Sequence, residues 1–179
     1  MAPKSMWPPG RRSALRRLAL PLALALLGRS AAAGPLPVPT GVVLLTLSGQ
    51  VGLPNQGAQA VFDLAMLSAL AQRRFSVKTP WDTRPVSFEG PLLREVLHAA
   101  EAHGKRLTLV AVNDYKVEIP MEDLSHWDVV LALKMNGQAI PTRTKGPLFV
   151  VYPFDQAQGA LLEQFRDRSI WQLVSIRID

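Results

Sequence analysis

The stretch Pro91-Leu92-Leu93-Arg94-Glu95-Val96-Leu97-His98-Ala99-Ala100-Glu101-Ala102-His103-Gly104-Lys105-Arg106-Leu107-Thr108-Leu109-Val110-Ala111-Val112 decides the fold class. Leu92, Leu93, Val96, Leu97 and Ala100 recur at helical spacing, which predicts an amphipathic helix from Pro91 to about His103. Proline suits a first helical position, and Gly104 suits the stop. From Arg106 to Val112 the period falls to two, the signature of a strand.

Working outward, short strands dominate. Val42–Val51, Phe75–Lys78, Val86–Phe88, Tyr115–Ile119, Trp127–Lys134, Leu148–Tyr152 and Ile170–Ile178 read as strands. Asn113-Asp114 reads as a turn, and Met135-Asn136-Gly137-Gln138 as a hairpin, because Asn-Gly accepts positive φ. Asp63 is a suitable N-cap for a helix reaching about Gln72, with Arg73-Arg74 in its last turn. Met121–Leu124 suggests one helical turn and Ala160–Arg168 a further helix. About eight strands and two to three helices, without regular alternation, indicate an α+β fold.

The chain has 179 residues, 48% of them hydrophobic and 19% charged, within the range of globular proteins. Its formal charge of +6 is local. Lys4, Arg11, Arg12, Arg16, Arg17 and Arg29 precede residue 34 with no acidic residue among them, and the remainder carries 14 basic and 14 acidic residues. The basic pI therefore belongs to the leader, and no nucleic-acid partner is expected.

Residues 1–33 read as a signal peptide: a basic region to Arg17, an apolar run Leu18–Leu27, and Ala31-Ala32-Ala33 as a cleavage site. The apolar run is too short to span a bilayer comfortably, which needs about 20 residues. Arg11-Arg12-Ser13-Ala14-Leu15-Arg16 is similar to a twin-arginine export pattern, and the Sec route is the alternative. The expected location is periplasmic, with no stable membrane span after cleavage. Residues 34–41, with three prolines, form a lead-in, and 42–179 a single domain.

The sequence excludes several chemistries. It has no cysteine, hence no disulfide, thiolate nucleophile or cysteine-based metal site. His98 and His103 lie five residues apart and do not share a helix face. Nucleophile-elbow, phosphate-loop and metalloprotease motifs are absent.

Six segments in order resemble the molybdopterin-binding domain of the sulfite oxidase superfamily. They are Leu47–Val51, Phe88–Leu97, Asn113–Pro120, Lys134–Gln138, Gly146–Pro153 and Ser169–Leu173. The resemblance implies a mixed α+β fold with layered sheets. It also implies a cysteine thiolate on molybdenum, near a strand end ahead of the amphipathic helix. The corresponding stretch here is Phe75–Trp81, where Thr79 takes that place. A threonine hydroxyl is a hard donor that is difficult to deprotonate, whereas softer metals select sulfur.

The expected ligand cleft contains Thr79, Trp81, Asn113, Asp114, Tyr115 and Arg143, with Lys145 and Tyr152 near its rim. Arg143 and Lys145 would suit an anion. The plainer alternative makes Asn113-Asp114 a simple turn, Trp81 and Trp171 core, and Arg143 and Lys145 solvated cations. The leading expectation is a non-redox exported protein that binds a small molecule or a periplasmic protein partner, with no cofactor. One alternative is a molybdopterin-dependent oxidoreductase acting on a small oxyanion or sulfoxide. Another is an interaction protein that docks through Ile170–Ile178 as an edge strand.

Overall fold

A computed structural model describes residues 35–179. The leader reading, including its export motif and cleavage site, lies outside the described residues. Hydrogen bonds tie the lead-in to the domain. Asn55 Nδ2 donates to the Pro37 carbonyl at 2.6 Å, and the Thr40 and Gly41 amides donate to Asp63 Oδ2 at 2.9 and 2.8 Å.

Strand β1 (Val43–Gly49) pairs antiparallel with β2 (Ala60–Asp63), a strand that the sequence reading does not include. All four β2 residues are buried, so β2 has no polar alternation to announce it. Asp63 then caps α1 (Leu64–Ala69), its side chain accepting from the Met66 amide at 2.9 Å. The helix ends three residues before the expected limit, and β3 (Gln72–Val77) begins at once. Arg73 and Arg74 therefore lie on a strand rather than in a helical last turn. There Arg74 pairs with Glu89 of the facing strand β4 (Val86–Pro91).

Pro91 ends β4 and does not open a helix. Helix α2 (Leu93–Ala99) starts two residues later, because the Leu93 amide donates to Val129 O at 2.8 Å and holds the chain across the sheet. Leu93, Val96 and Leu97 are its buried residues, all within the predicted stripe. Strands β5 (Arg106–Ala111) and β6 (Lys116–Pro120) follow as expected. They are succeeded by α3 (Asp123–His126), β7 (Val130–Ala132), β8 (Lys134–Met135) and β9 (Gln138–Ala139). Asn136 and Gly137, at φ 51° and 78°, close the β8–β9 hairpin as the Asn-Gly pair predicts. The chain ends with β10 (Phe149–Val151), a 3₁₀ turn (Phe154–Gln156), α4 (Ala160–Arg168), β11 (Ile170–Trp171) and β12 (Leu173–Ile178).

Three sheets result, ordered β2-β1-β12-β5-β6, β3-β4-β8-β9 and β11-β10-β7. Leu45, Leu47, Leu107, Leu109, Phe88, Phe149 and Ile176 are fully buried in the core between them. At roughly 1.5–3 kcal/mol for a fully buried large apolar side chain, this cluster is the main stabilising term. The fold is α+β with layered sheets, as expected, although with twelve strands and four α-helices among the described residues.

The predicted edge strand Ile170–Ile178 is corrected in two ways. It breaks at Gln172, whose φ is 53°, so β11 and β12 belong to different sheets. Strand β12 also lies inside its sheet, parallel to β1 and antiparallel to β5. Both of its sides are occupied, so it offers no docking edge.

Candidate functional site

The break at Gln172 positions the site. The Gln172 amide donates to Lys145 O at 3.1 Å, and the Val112 amide donates to Gln172 O at 2.9 Å. The end of β5, the β11–β12 junction and the loop before β10 are thereby tied together. Asp114, at φ 63°, turns the chain after β5, and Asn113 Oδ1 accepts from the Tyr115 amide at 3.3 Å. This turn aims Asn113 and Tyr115 at the same opening as Trp171.

That opening is a cleft of about 380 Å³, within the roughly 300–1,000 Å³ range of small-molecule sites. Trp81, Asn113 and Tyr115 line it together with Arg166, Asp167 and Trp171. Trp81 meets Trp171 edge-to-face at 5.4 Å and Phe154 at 5.7 Å. Trp171 is 37% exposed, so it is a wall of the cleft rather than core. Arg166 Nε donates to Asp167 Oδ1 at 2.9 Å, and that bond holds the guanidinium pKa above its ordinary value.

Thr79, expected in the cleft, is not among the residues that line it. It is 3% exposed, its hydroxyl donates to Asp82 Oδ2 at 2.5 Å, and its oxygen accepts from the Trp81 amide at 3.3 Å. Asp82 in turn faces Lys145, with Nζ to Oδ2 at 3.4 Å. The ammonium also lies 5.9 Å from the Trp81 ring centroid and 5.7 Å from that of Phe149. Lys145 is thus held in a network and does not project from a rim. Arg143 and Asp114 are exposed and outside the lining of the cleft.

Tyr152 requires a correction. It was expected near the rim, but it is fully buried. Its hydroxyl donates to Asp123 Oδ2 at 2.6 Å, and Arg168 Nη1 donates to the same carboxylate at 2.8 Å. Burial, reinforced by the Asp123 carboxylate, raises the tyrosine pKa far above its ordinary value. The apolar run of β10 carries Tyr152 into the core, where it ties α3 to α4.

Sequence reasoning missed Asp82, Arg166, Asp167 and Trp171. Asp82 follows Thr79 by three residues, a spacing suited to a local side-chain turn, and that signal was available. Arg166 and Asp167 sit on a helix with no distinguishing motif, and only the packing of α4 brings them to the cleft.

The Thr79 surroundings do not fit a protein-ligated molybdenum centre. The hydroxyl proton is committed to a carboxylate, and the negative charge of Asp82 opposes its loss. The oxygen is a hard donor in any case. Among the described residues no group of three or more His, Asp or Glu residues is arranged to hold a metal ion. No described helix is long and apolar enough to cross a membrane.

The family model for the oxidoreductase molybdopterin binding domain matches residues 50–157, more than half of the chain. No curated protein matches the chain. The match spans Thr79, Trp81, Asn113 and Tyr115, whereas Arg166, Asp167 and Trp171 lie beyond it.

Proposed function

The chain belongs to the oxidoreductase molybdopterin-binding domain family, and from that premise we propose that it has kept the fold while losing molybdenum redox chemistry. In this reading it is an exported accessory or sensory protein, delivered by its leader, that binds a small molecule in the Trp81–Tyr115–Trp171 cleft. The observation that supports it is the engagement of Thr79. Where the family resemblance implies a metal-ligating thiolate, this chain has a buried hydroxyl bonded to Asp82. A dithiolene-bearing pterin would find no sulfur or free oxygen ligand from the chain at that position.

The alternative is a molybdopterin-dependent oxidoreductase acting on a small oxyanion or sulfoxide, and family membership speaks for it. The two readings separate on metal content. Protein exported from a cell that makes the cofactor is analysed for molybdenum and for pterin fluorescence. A molybdenum content far below one per chain is expected. A value near one per chain, with pterin released on denaturation, overturns the non-redox reading.

A further inference from the structure

The geometry points to a ligand class for the cleft: a small planar aromatic anion, one or two fused rings bearing a carboxylate or an equivalent oxyanion. This rests on the small-molecule reading above and names what the same site would take.

Shape gives the planar ring. Tyr115, 56% exposed, and Trp171, 37% exposed, line the same cleft. Trp171 is steadied by the edge-to-face contact with Trp81, while Tyr115 makes no aromatic contact among the described residues. Two exposed aromatic side chains in one lining, one anchored and one without an aromatic partner, give a flat ring aromatic surface to pack against. Aliphatic ligands of equal size would lose that term.

Hydrogen-bonding capacity gives the anion. Arg166 uses only its Nε on Asp167, so both terminal guanidinium nitrogens are without a hydrogen-bond partner among the described residues. The planar fork of those nitrogens matches a carboxylate. Asn113 spends its carbonyl oxygen on the Tyr115 amide, which leaves its amide nitrogen as a further donor. Against these donors the lining carries one carboxylate, Asp167, and one of its oxygens already accepts from Arg166. A ligand that brings acceptors completes the site better than one that brings donors.

Calorimetric titration of the purified mature protein tests this with three probes. These are 2-naphthoate, its neutral amide 2-naphthamide, and the non-planar anion cyclohexanecarboxylate. Saturable one-site binding of 2-naphthoate is expected, with each of the other two at least tenfold weaker. Arg166→Gln should weaken 2-naphthoate about tenfold or more, the range of a hydrogen bond to a charged group, and leave 2-naphthamide unchanged. Arg166 is exposed, so this variant keeps the fold. Equal binding of the amide removes the anion, equal binding of cyclohexanecarboxylate removes the planar ring, and no binding of 2-naphthoate overturns the class altogether. In molybdenum-free protein such a failure leaves the non-redox reading intact, because that reading falls only on a molybdenum content near one per chain.

Discussion

The Thr79 hydroxyl donates a 2.5 Å hydrogen bond to the Asp82 carboxylate, and Asp82 faces the Lys145 ammonium at 3.4 Å. Proton, carboxylate and ammonium satisfy one another without an external ligand. The network also seats Trp81, whose amide donates to Thr79 Oγ1.

Thr79→Cys tests whether the threonine alone excludes metal. The new thiol would face Asp82, whose charge opposes formation of a thiolate. Protein carrying this substitution, made in a cofactor-producing cell, should still contain far less than one molybdenum per chain. Stoichiometric uptake in Thr79→Cys would show that the rest of the pocket remains competent.

Thr79→Ala should cost about 1–3 kcal/mol, because it removes the short hydroxyl bond to a partly buried carboxylate and leaves it only the longer contact with Lys145. Urea denaturation measures the loss. Thr79→Ser, which keeps the hydroxyl, should recover most of it.

Tyr152 sets an alkaline limit on stability. Its pKa is raised in the folded state, so the native protein retains a proton that the unfolded chain releases near the ordinary value of 10.0. Stability from this group is fully present below that pH and is lost as pH rises above it. The slope of unfolding free energy against pH above that point should shrink in Tyr152→Phe. An unchanged slope would assign the limit to other groups.

Asp63 sets the acid counterpart. Bonds from the backbone N–H of Met66, then of Gly41, hold its carboxyl below the ordinary value of 3.8. Its contribution is present above the unfolded pKa and fades as pH falls through the folded one. Asp63→Ala should lower Tm at neutral pH, flatten this acid dependence and speed amide exchange at Thr40 and Gly41, because it removes a helix cap and the clamp on the lead-in together.

Gly90 is required for the contact between β4 and β7. A Cβ there would strike the Leu131 carbonyl oxygen, which belongs to backbone and cannot swing aside. Gly90→Ala should therefore destabilise by about 1–3 kcal/mol or more, measured by thermal or urea unfolding. A neutral result would mean that the two strands can separate without cost.

Much of the fold is written locally. The stripe Leu93, Val96, Leu97 and the alternation of Arg106–Ala111 name their elements without help, because helix and strand bury different periodicities. Asn136-Gly137 names its hairpin, since few other residue pairs accept two positive φ angles. The resemblance across six segments identified the family, and the absence of cysteine raised the question of metal. Other features needed the tertiary structure. Strand β2 is buried on both faces and has no period, Pro91 lies in a strand because it pairs with Gln72 of β3, and Ile170–Ile178 divides between two sheets at a single residue. The cleft is the clearest case. Trp81, Asn113 and Tyr115 could be proposed from their loops, but Arg166 and Trp171 reach them only because α4 and β11 fold back across the end of β5. Tyr152 has the composition of a site residue and the position of a core one. Which side chains share a cavity depends on contacts between residues far apart in the chain, and local periodicity does not encode those contacts.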